Sequence, residues 1–177
     1  MTEDSVRHVP TADELIERAK ELPSADDPII IIARGQAVPW GRTGSRVIQP
    51  RGGGKPFATK FTPKKTRNFQ AYVQYLANEA RKSRGRFEGP VALAVFVEIE
   101  PPKSWSVLKV SKALNGEVLP TGRPDADNVL KSCLDACNKI LFRDDSFVVD
   151  TSARKRYGRE HKAVIIVRPV KGETAQR

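Results

Sequence analysis

Between Val91 and Ile99 the chain reads Val-Ala-Leu-Ala-Val-Phe-Val-Glu-Ile, apolar at every position but Glu98. So continuous a run, rich in β-branched residues, predicts a buried central strand, and Pro101-Pro102 ends it. Three further strands are predicted around it: a short apolar run at residues 29–33, and residues 147–157 and 163–167, which a turn containing Gly158 joins. Thr62-Pro63 reads as an N-cap followed by a proline at the first helical position, and Phe69, Tyr72, Val73, Leu76 and Ala80 then recur at helical spacing. The expected fold is α+β: a small mixed four-stranded sheet with helices packed on one face. Residues 41–55, rich in Gly and Arg and including Gly52-Gly53-Gly54, read as a mobile basic loop. Trp105, in a polar stretch, reads as a packing residue.

Charge is unevenly placed. Residues 1–27 hold eight acids against three bases, net −5, so the other 150 residues carry +15 within a total of +10. The first 27 residues therefore form an acidic arm, weakly tethered, with a short amphipathic helix around residues 12–22, and residues 28–177 form the single folded domain. From Pro28 to Asn78 there is no acid, and the bases include Arg42, Arg46, Arg51, Lys64, Lys65 and Arg67. A basic body fits a polyanionic partner, because each neutralised phosphate releases condensed counterions. These six residues are the expected nucleic-acid contacts. No apolar run approaches the roughly 20 residues that span a bilayer, and the N-terminus lacks the layout of a signal peptide, so a cytoplasmic protein is expected. The two cysteines, Cys133 and Cys137, have no neighbouring Cys or His of metal-binding spacing and read as small packing residues; His8 and His161 stand far apart.

The segment that bears chemistry runs Arg123-Pro124-Asp125-Ala126-Asp127-Asn128-Val129-Leu130-Lys131, continues through Leu134-Asp135-Ala136, and ends in Arg143-Asp144-Asp145-Ser146. A helix beginning after Asp127, with that Asp near its N-cap, places Val129, Leu130, Cys133, Leu134, Ala136, Cys137, Ile140 and Leu141 on one stripe, and Asp127, Lys131, Asp135 and Asn138 on the opposite one. Asp125 and Asp127, two apart in an extended approach, project to the same side. The Asp144-Asp145 pair follows the helix and meets the first two only if the next strand runs back alongside. Converging carboxylates repel unless a cation neutralises them, and an oxygen-only donor set suits Mg²⁺, with Mn²⁺ as the alternative. Such a site polarises a phosphoryl oxygen and activates water for in-line attack on a phosphodiester. Lys131, one turn after Asp127, would reach the scissile phosphate or orient the water.

Other readings of Asp-x-Asp fail on particular residues. A calcium loop starting at Asp125 needs Gly and Glu where Leu130 and Ala136 stand. A haloacid-dehalogenase-type phosphatase needs an apolar strand where Gly122-Arg123-Pro124 stands. In the motif segment that follows Pro124-Asp125, up to Ser146, no acid stands two before a Lys as in a PD-(D/E)xK nuclease.

The pattern Pro-Asp-x-Asp-Asn-x-x-Lys, then Leu-Asp-Ala, then Asp-Asp-Ser resembles the signature of the RusA family of Holliday-junction resolvases, closely over residues 124–149. A looser likeness takes in Ser104-Trp105, the helix start near Thr62, the basic loop, Lys155 and Tyr157. The resemblance implies a homodimeric, Mg²⁺- or Mn²⁺-dependent endodeoxyribonuclease that resolves four-way DNA junctions by paired nicks in recombination and repair, in a family often carried by prophages. Its essential aspartates fall on Asp125, Asp127 and Asp145 and its lysine on Lys131, while Asp144, as a further metal ligand, and Asp135 take supporting places. Cys137 stands where the family tends to have Leu, and the acidic arm has no counterpart in its short members. A structure-selective nuclease for flaps or forks, and a non-catalytic basic nucleic-acid-binding protein, are the alternatives.

Overall fold

In the computed structural model, which describes residues 28–41, 44–82 and 85–172 together with Glu14, the apolar run at Val91–Ile99 lies at the centre of a sheet. Along the chain the elements are β1 (Ile29–Arg34), β2 (Gly44–Ile48), β3 (Phe57–Phe61), α1 (Lys64–Arg81), β4 (Val91–Ile99), α2 (Val107–Leu114) and α3 (Ala126–Cys137). A 3₁₀ turn at Asp145–Phe147 then leads into β5 (Val148–Tyr157) and β6 (Lys162–Pro169). The main sheet has the order β1-β6-β4-β5. It is mixed: β4 and β5 run parallel, whereas β6 is antiparallel to both β1 and β4. The fold is the expected α+β class with a four-stranded mixed sheet.

Alternation along the strands divides the sheet into two faces. Ile29, Ile31, Leu93, Val95, Val97, Ile165 and Val167 meet Phe69, Val73 and Ala77 of α1 and Val129, Cys133, Ala136 and Cys137 of α3 in one core. Both cysteines are thus packing residues, and burial raises the thiol pKa of each, that of Cys137 to about 12. Trp105 also packs, edge-on to the Tyr157 ring at 5.2 Å.

Two local expectations are corrected, and one helix was unforeseen. Instead of a mobile loop, residues 44–61 form an antiparallel hairpin, β2 with β3, separate from the main sheet. Gly44 pairs with Phe61, and a Cβ there would lie 2.5 Å from the Phe61 ring; the aromatic ring covers the bare backbone, which only glycine permits. The cap of α1 is Pro63 rather than Thr62, with no side-chain cap bond, and the helix starts at Lys64. α2 was not foreseen: Ser106 caps it by accepting from Lys109 N at 3.4 Å, although Val107 and Leu108 remain 87% and 70% exposed. The expected helix at residues 12–22 and the arm it belongs to lie outside the described residues, apart from Glu14.

At the end of the sheet where β4 and β5 finish, Glu98 is buried between Lys162, at 3.4 Å, and Arg156, at 3.9 Å. Gly158 closes the turn there, donating its N–H to Ile99 O at 3.0 Å. A Cβ on Gly158 would come within 2.6 Å of Glu98 Oε2, so the turn needs glycine for space rather than for its backbone angle.

Candidate active site

Helix α3 positions the motif. Its N-cap residue is Asp125, in extended conformation, rather than the expected Asp127, and Asp125 Oδ2 accepts from Asn128 Nδ2 at 3.4 Å. Asp127 lies in the first turn, where the amino end of the helix dipole favours a negative charge. Lys131 and Asp135 follow at one-turn intervals, and all four side chains are exposed. On the opposite stripe Val129, Cys133, Ala136 and Cys137 are buried and Leu130 and Leu134 partly so. The polar stripe foreseen from the sequence is therefore the solvent face of α3 as far as Asp135, whereas Asn138, expected to continue it, lies past the helix end with its Oδ1 buried. The helix stops at Cys137, and Lys139 turns the chain with φ 62° before Leu141 and Phe142 re-enter the core.

Two flanking segments hold the ends of this helix. Lys155 of β5 donates to the carbonyls of Gly122, at 2.5 Å, and Pro124, at 3.1 Å, fixing the approach to Asp125. The stretch after β1 docks on both helices: Thr66 Oγ1 donates to Pro39 O at 3.3 Å, and Trp40 N donates to Asn128 O at 2.8 Å. Gly41 has no room for a side chain, since a Cβ would lie 2.9 Å from Pro63 Cγ.

Trp40 then becomes part of the site. Lys131 Nζ sits 4.1 Å from the centroid of its ring, and the Trp40 side chain lies close enough to the Asp135 carboxylate to favour its charged form. Gln70 Nε2 donates to Asp135 Oδ2 at 3.5 Å from α1. The Asp135 pKa is raised, first by partial burial and further by the negative charge of Asp145, while Lys131, Trp40 and Gln70 pull it the other way. Asp144 has a different task. Its Oδ1 accepts the Ser146 N–H at 3.2 Å, which caps the 3₁₀ turn and holds its carboxyl below the ordinary range.

The structure thus brings Lys131, Asp135, Trp40, Gln70 and Asp145 into one neighbourhood. Asp125 and Asp127 stand at the start of the same helix; from Asp127 to Asp135 the axis rises about 12 Å. Among the described residues no three His, Cys, Asp or Glu side chains are placed to hold one metal ion. The expected convergence of Asp125, Asp127 and Asp145 is not present as a three-acid group. The reason is the path of β5, which leaves from the far end of α3: the strand climbs roughly 23 Å from Val148 before Lys155 reaches the Pro124 carbonyl. In donor chemistry the acids still fit a hard divalent cation, since all are oxygen ligands and the only thiols are buried.

Of the basic residues, Arg46 lies on β2, Arg51 in the hairpin turn, and Lys64, Lys65 and Arg67 on the first turn of α1; all are exposed. Arg42 lies outside the described residues. Because Pro39 and Trp40 tie the start of α1 to that of α3, Lys64, Lys65 and Arg67 flank the helix end that carries Asp125 and Asp127. Sequence reasoning missed Trp40 and Gln70, and it met Lys155 only within the looser family likeness, without a role. Trp40 did carry a signal, an aromatic residue between a strand and an acid-free basic stretch.

An α+β sheet whose one helix exposes carboxylates and a lysine beside a basic rim has the parts of a nuclease. Residues 41–168 match the Endodeoxyribonuclease RusA family, and the chain belongs to that family. It is also similar to the uncharacterized protein YqaN of Bacillus subtilis (strain 168), 37% identical over 110 residues that span 61% of this chain and 77% of that one. Among the described residues no helix is long and apolar enough to cross a membrane.

Proposed function

We propose that this chain is a metal-dependent endodeoxyribonuclease that resolves four-way DNA junctions by paired nicks, acting as a cytoplasmic homodimer in recombination and repair. The observation that carries the reading is the solvent stripe of α3, Asp127, Lys131 and Asp135, led by Asp125 and joined by Asp145, in a chain of the RusA family. Asp125 and Asp127, two apart at the start of α3, would hold a divalent cation, Mg²⁺ or Mn²⁺, and Asp145, with Asp144 as an outer ligand, would have to close on it from beside the far half of the helix, since the three acids are not gathered in this structure. When bound, the cation polarises the scissile phosphate and lowers the cost of activating water. The chain's own groups do the rest. Lys131, held over the Trp40 ring, directs its ammonium toward the phosphate oxygen on which charge develops. Arg42, Arg46, Arg51, Lys64, Lys65 and Arg67 bind the backbone of the DNA arms. A two-fold junction is matched by two copies presenting two sites, which supports the dimer. In this reading residues 28–177 are the nuclease domain and residues 1–27 an appended acidic segment.

The test is cleavage of a four-way junction beside a flap, a fork and linear duplex, with Mg²⁺, with Mn²⁺ and with chelator. Paired symmetric nicks confined to the junction and abolished by chelator are expected. Equal cutting of flaps or forks would make it a structure-selective nuclease instead, and binding without cutting a non-catalytic DNA-binding protein.

A further inference from the structure

Residues 101–124, between β4 and Asp125, carry Lys103, Lys109, Lys112 and Arg123 against one acid, Glu117. This segment contains α2, whose first turn presents Val107 and Leu108 to solvent at 87% and 70% exposure. Neither residue belongs to either packed apolar cluster, so the fold gains nothing from them. Leu108 and Lys112, one turn apart, lie on the side turned away from Val110 and the buried Ala113.

α2 stands beside the approach to the acids. It packs against β5, and Trp105, just ahead of it, meets the Tyr157 ring edge-on at 5.2 Å. Tyr157 lies two residues from Lys155, roughly 7 Å along the same face of the strand. Lys155 in turn holds the Gly122 and Pro124 carbonyls ahead of Asp125. Lys109 Nζ sits 4.0 Å from the centre of the Trp105 ring. Each of the chain's two tryptophans therefore carries an ammonium, and both flank the start of α3, where Trp40 N donates to Asn128 O. An ammonium resting on an aromatic face keeps N–H donors for a second partner. Among the described residues no ion pair takes up Lys103, Lys109 or Lys112.

We propose that the first turn of α2 reads the branch point of DNA: Leu108, beside Val107, enters where bases are unstacked, and Lys103, Lys109 and Lys112 bind the phosphates around it. The combination selects this occupant. Wedging an aliphatic side chain between bases costs the stacking of that step, a cost already met where strands exchange. On intact duplex the lysines still find phosphates, but the apolar pair finds no cover. A second copy would set like charge against like charge, and a membrane surface would gain little from so small an apolar area. This inference rests on the nuclease reading, for which it supplies the feature that separates branched from linear DNA.

The full-length protein, with chelator to prevent cutting, is titrated into a four-way junction and a linear duplex that carry 2-aminopurine at the branch or the matching position. Fluorescence at the junction centre should rise on binding, because insertion unstacks the probe. Val107→Ser/Leu108→Ser should abolish that rise and lower junction affinity by at least about tenfold, with duplex affinity changed by less than about twofold. Should the double variant unfold, Leu108→Gln alone should remove the rise. Lys109→Gln should weaken both DNAs alike and reduce the slope of log affinity against log salt by roughly 0.9, the contribution of one phosphate. A folded variant that keeps both the rise and the junction preference overturns the proposal and leaves the nuclease reading standing. An unaltered protein that binds no junction brings down both. If the variant loses self-association in sedimentation, or binding to phosphatidylserine vesicles, at unchanged DNA affinity, the surface belongs to a second copy or a membrane and the proposal falls.

Discussion

Trp40 makes two separable contacts, and replacing it by Phe or Ala should resolve them. The ring supports Lys131 Nζ at 4.1 Å, and the polar edge of the side chain also favours the charged form of Asp135. Phe keeps an aromatic face for the lysine but has no N–H. At a half-exposed site, loss of that polar contact should cost at most about 1 kcal/mol. Ala removes the ring as well, adding about 0.5–1 kcal/mol for the cation–π contact and a similar amount for lost apolar burial, roughly 2–3 kcal/mol together. For a chain of this size each kcal/mol moves the melting temperature by about 2–4 °C. Calorimetry should therefore show a fall of at most roughly 2–4 °C for Trp40→Phe and roughly 5–10 °C for Trp40→Ala. A double-mutant cycle of Trp40→Ala with Lys131→Met isolates the cation–π pair and should return a coupling of about 0.5–1 kcal/mol. In junction cleavage Trp40→Ala should slow the saturated rate more than it weakens binding, because Lys131 loses its orientation. Strict additivity in the cycle, with cleavage at the normal rate, would refute the assignment of Trp40 as the residue that positions Lys131.

The remaining expectations concern the acids and the lysine. Asp127→Asn should lower junction cleavage by at least roughly a hundredfold while gel-shift affinity holds or rises, since it removes a ligand charge and leaves the basic surface intact; normal rates with Mg²⁺ would remove Asp127 from the site. Asp145→Asn should match it and Asp144→Asn should be milder, because Asn can still cap Ser146; full activity in both would end the metal-site reading. Lys131→Ala should slow cleavage at saturation, with affinity changed by no more than about threefold; a large loss of affinity at an unchanged rate would move Lys131 to the binding surface. For Asp135, burial raises the folded pKa above the unfolded one, so its stabilising contribution is present below the unfolded pKa and is lost as pH rises through the folded one. Asp135→Asn should accordingly be more stable than the unaltered protein at neutral pH, with the gap closing toward about pH 4. Urea unfolding at the two pH values checks this, and a gap that widens on acidification contradicts it.

The parts of the fold legible in sequence were those in which one local pattern decides the outcome. Val91–Ile99 and the run beginning at Ile29 are apolar enough that only burial suits them, and all four expected strands entered the main sheet. The solvent stripe of α3 followed from helical periodicity alone. The hairpin was hidden because its apolar residues are few and exposed: Val47 is 65% exposed and Phe57 54%, so its strands bury no face that would mark them in sequence. α2 was hidden for a similar reason, its Val-rich first turn pointing to solvent. Neither Trp40 nor Lys155 announces its role locally, since each acts on a segment distant in sequence.

The same distinction explains why the relation between the acids was the hardest point to foresee. Spacing along α3 fixes Asp127, Lys131 and Asp135 relative to one another, but where Asp145 meets that line depends on how the chain turns after Cys137. Lys139 in left-handed conformation and the burial of Leu141 and Phe142 send the chain to the edge of β4, where Phe87 N bonds Leu141 O at 2.8 Å. The parallel pairing of β4 with β5 then sets Val148 opposite Val91, so Asp145 acts on Asp135 in the second half of the helix. Two acids at the helix start and one beside its far half, with Lys131 between them, make a line of charges along α3. Such a line suits an extended phosphodiester backbone, whose charges are themselves spaced along a strand.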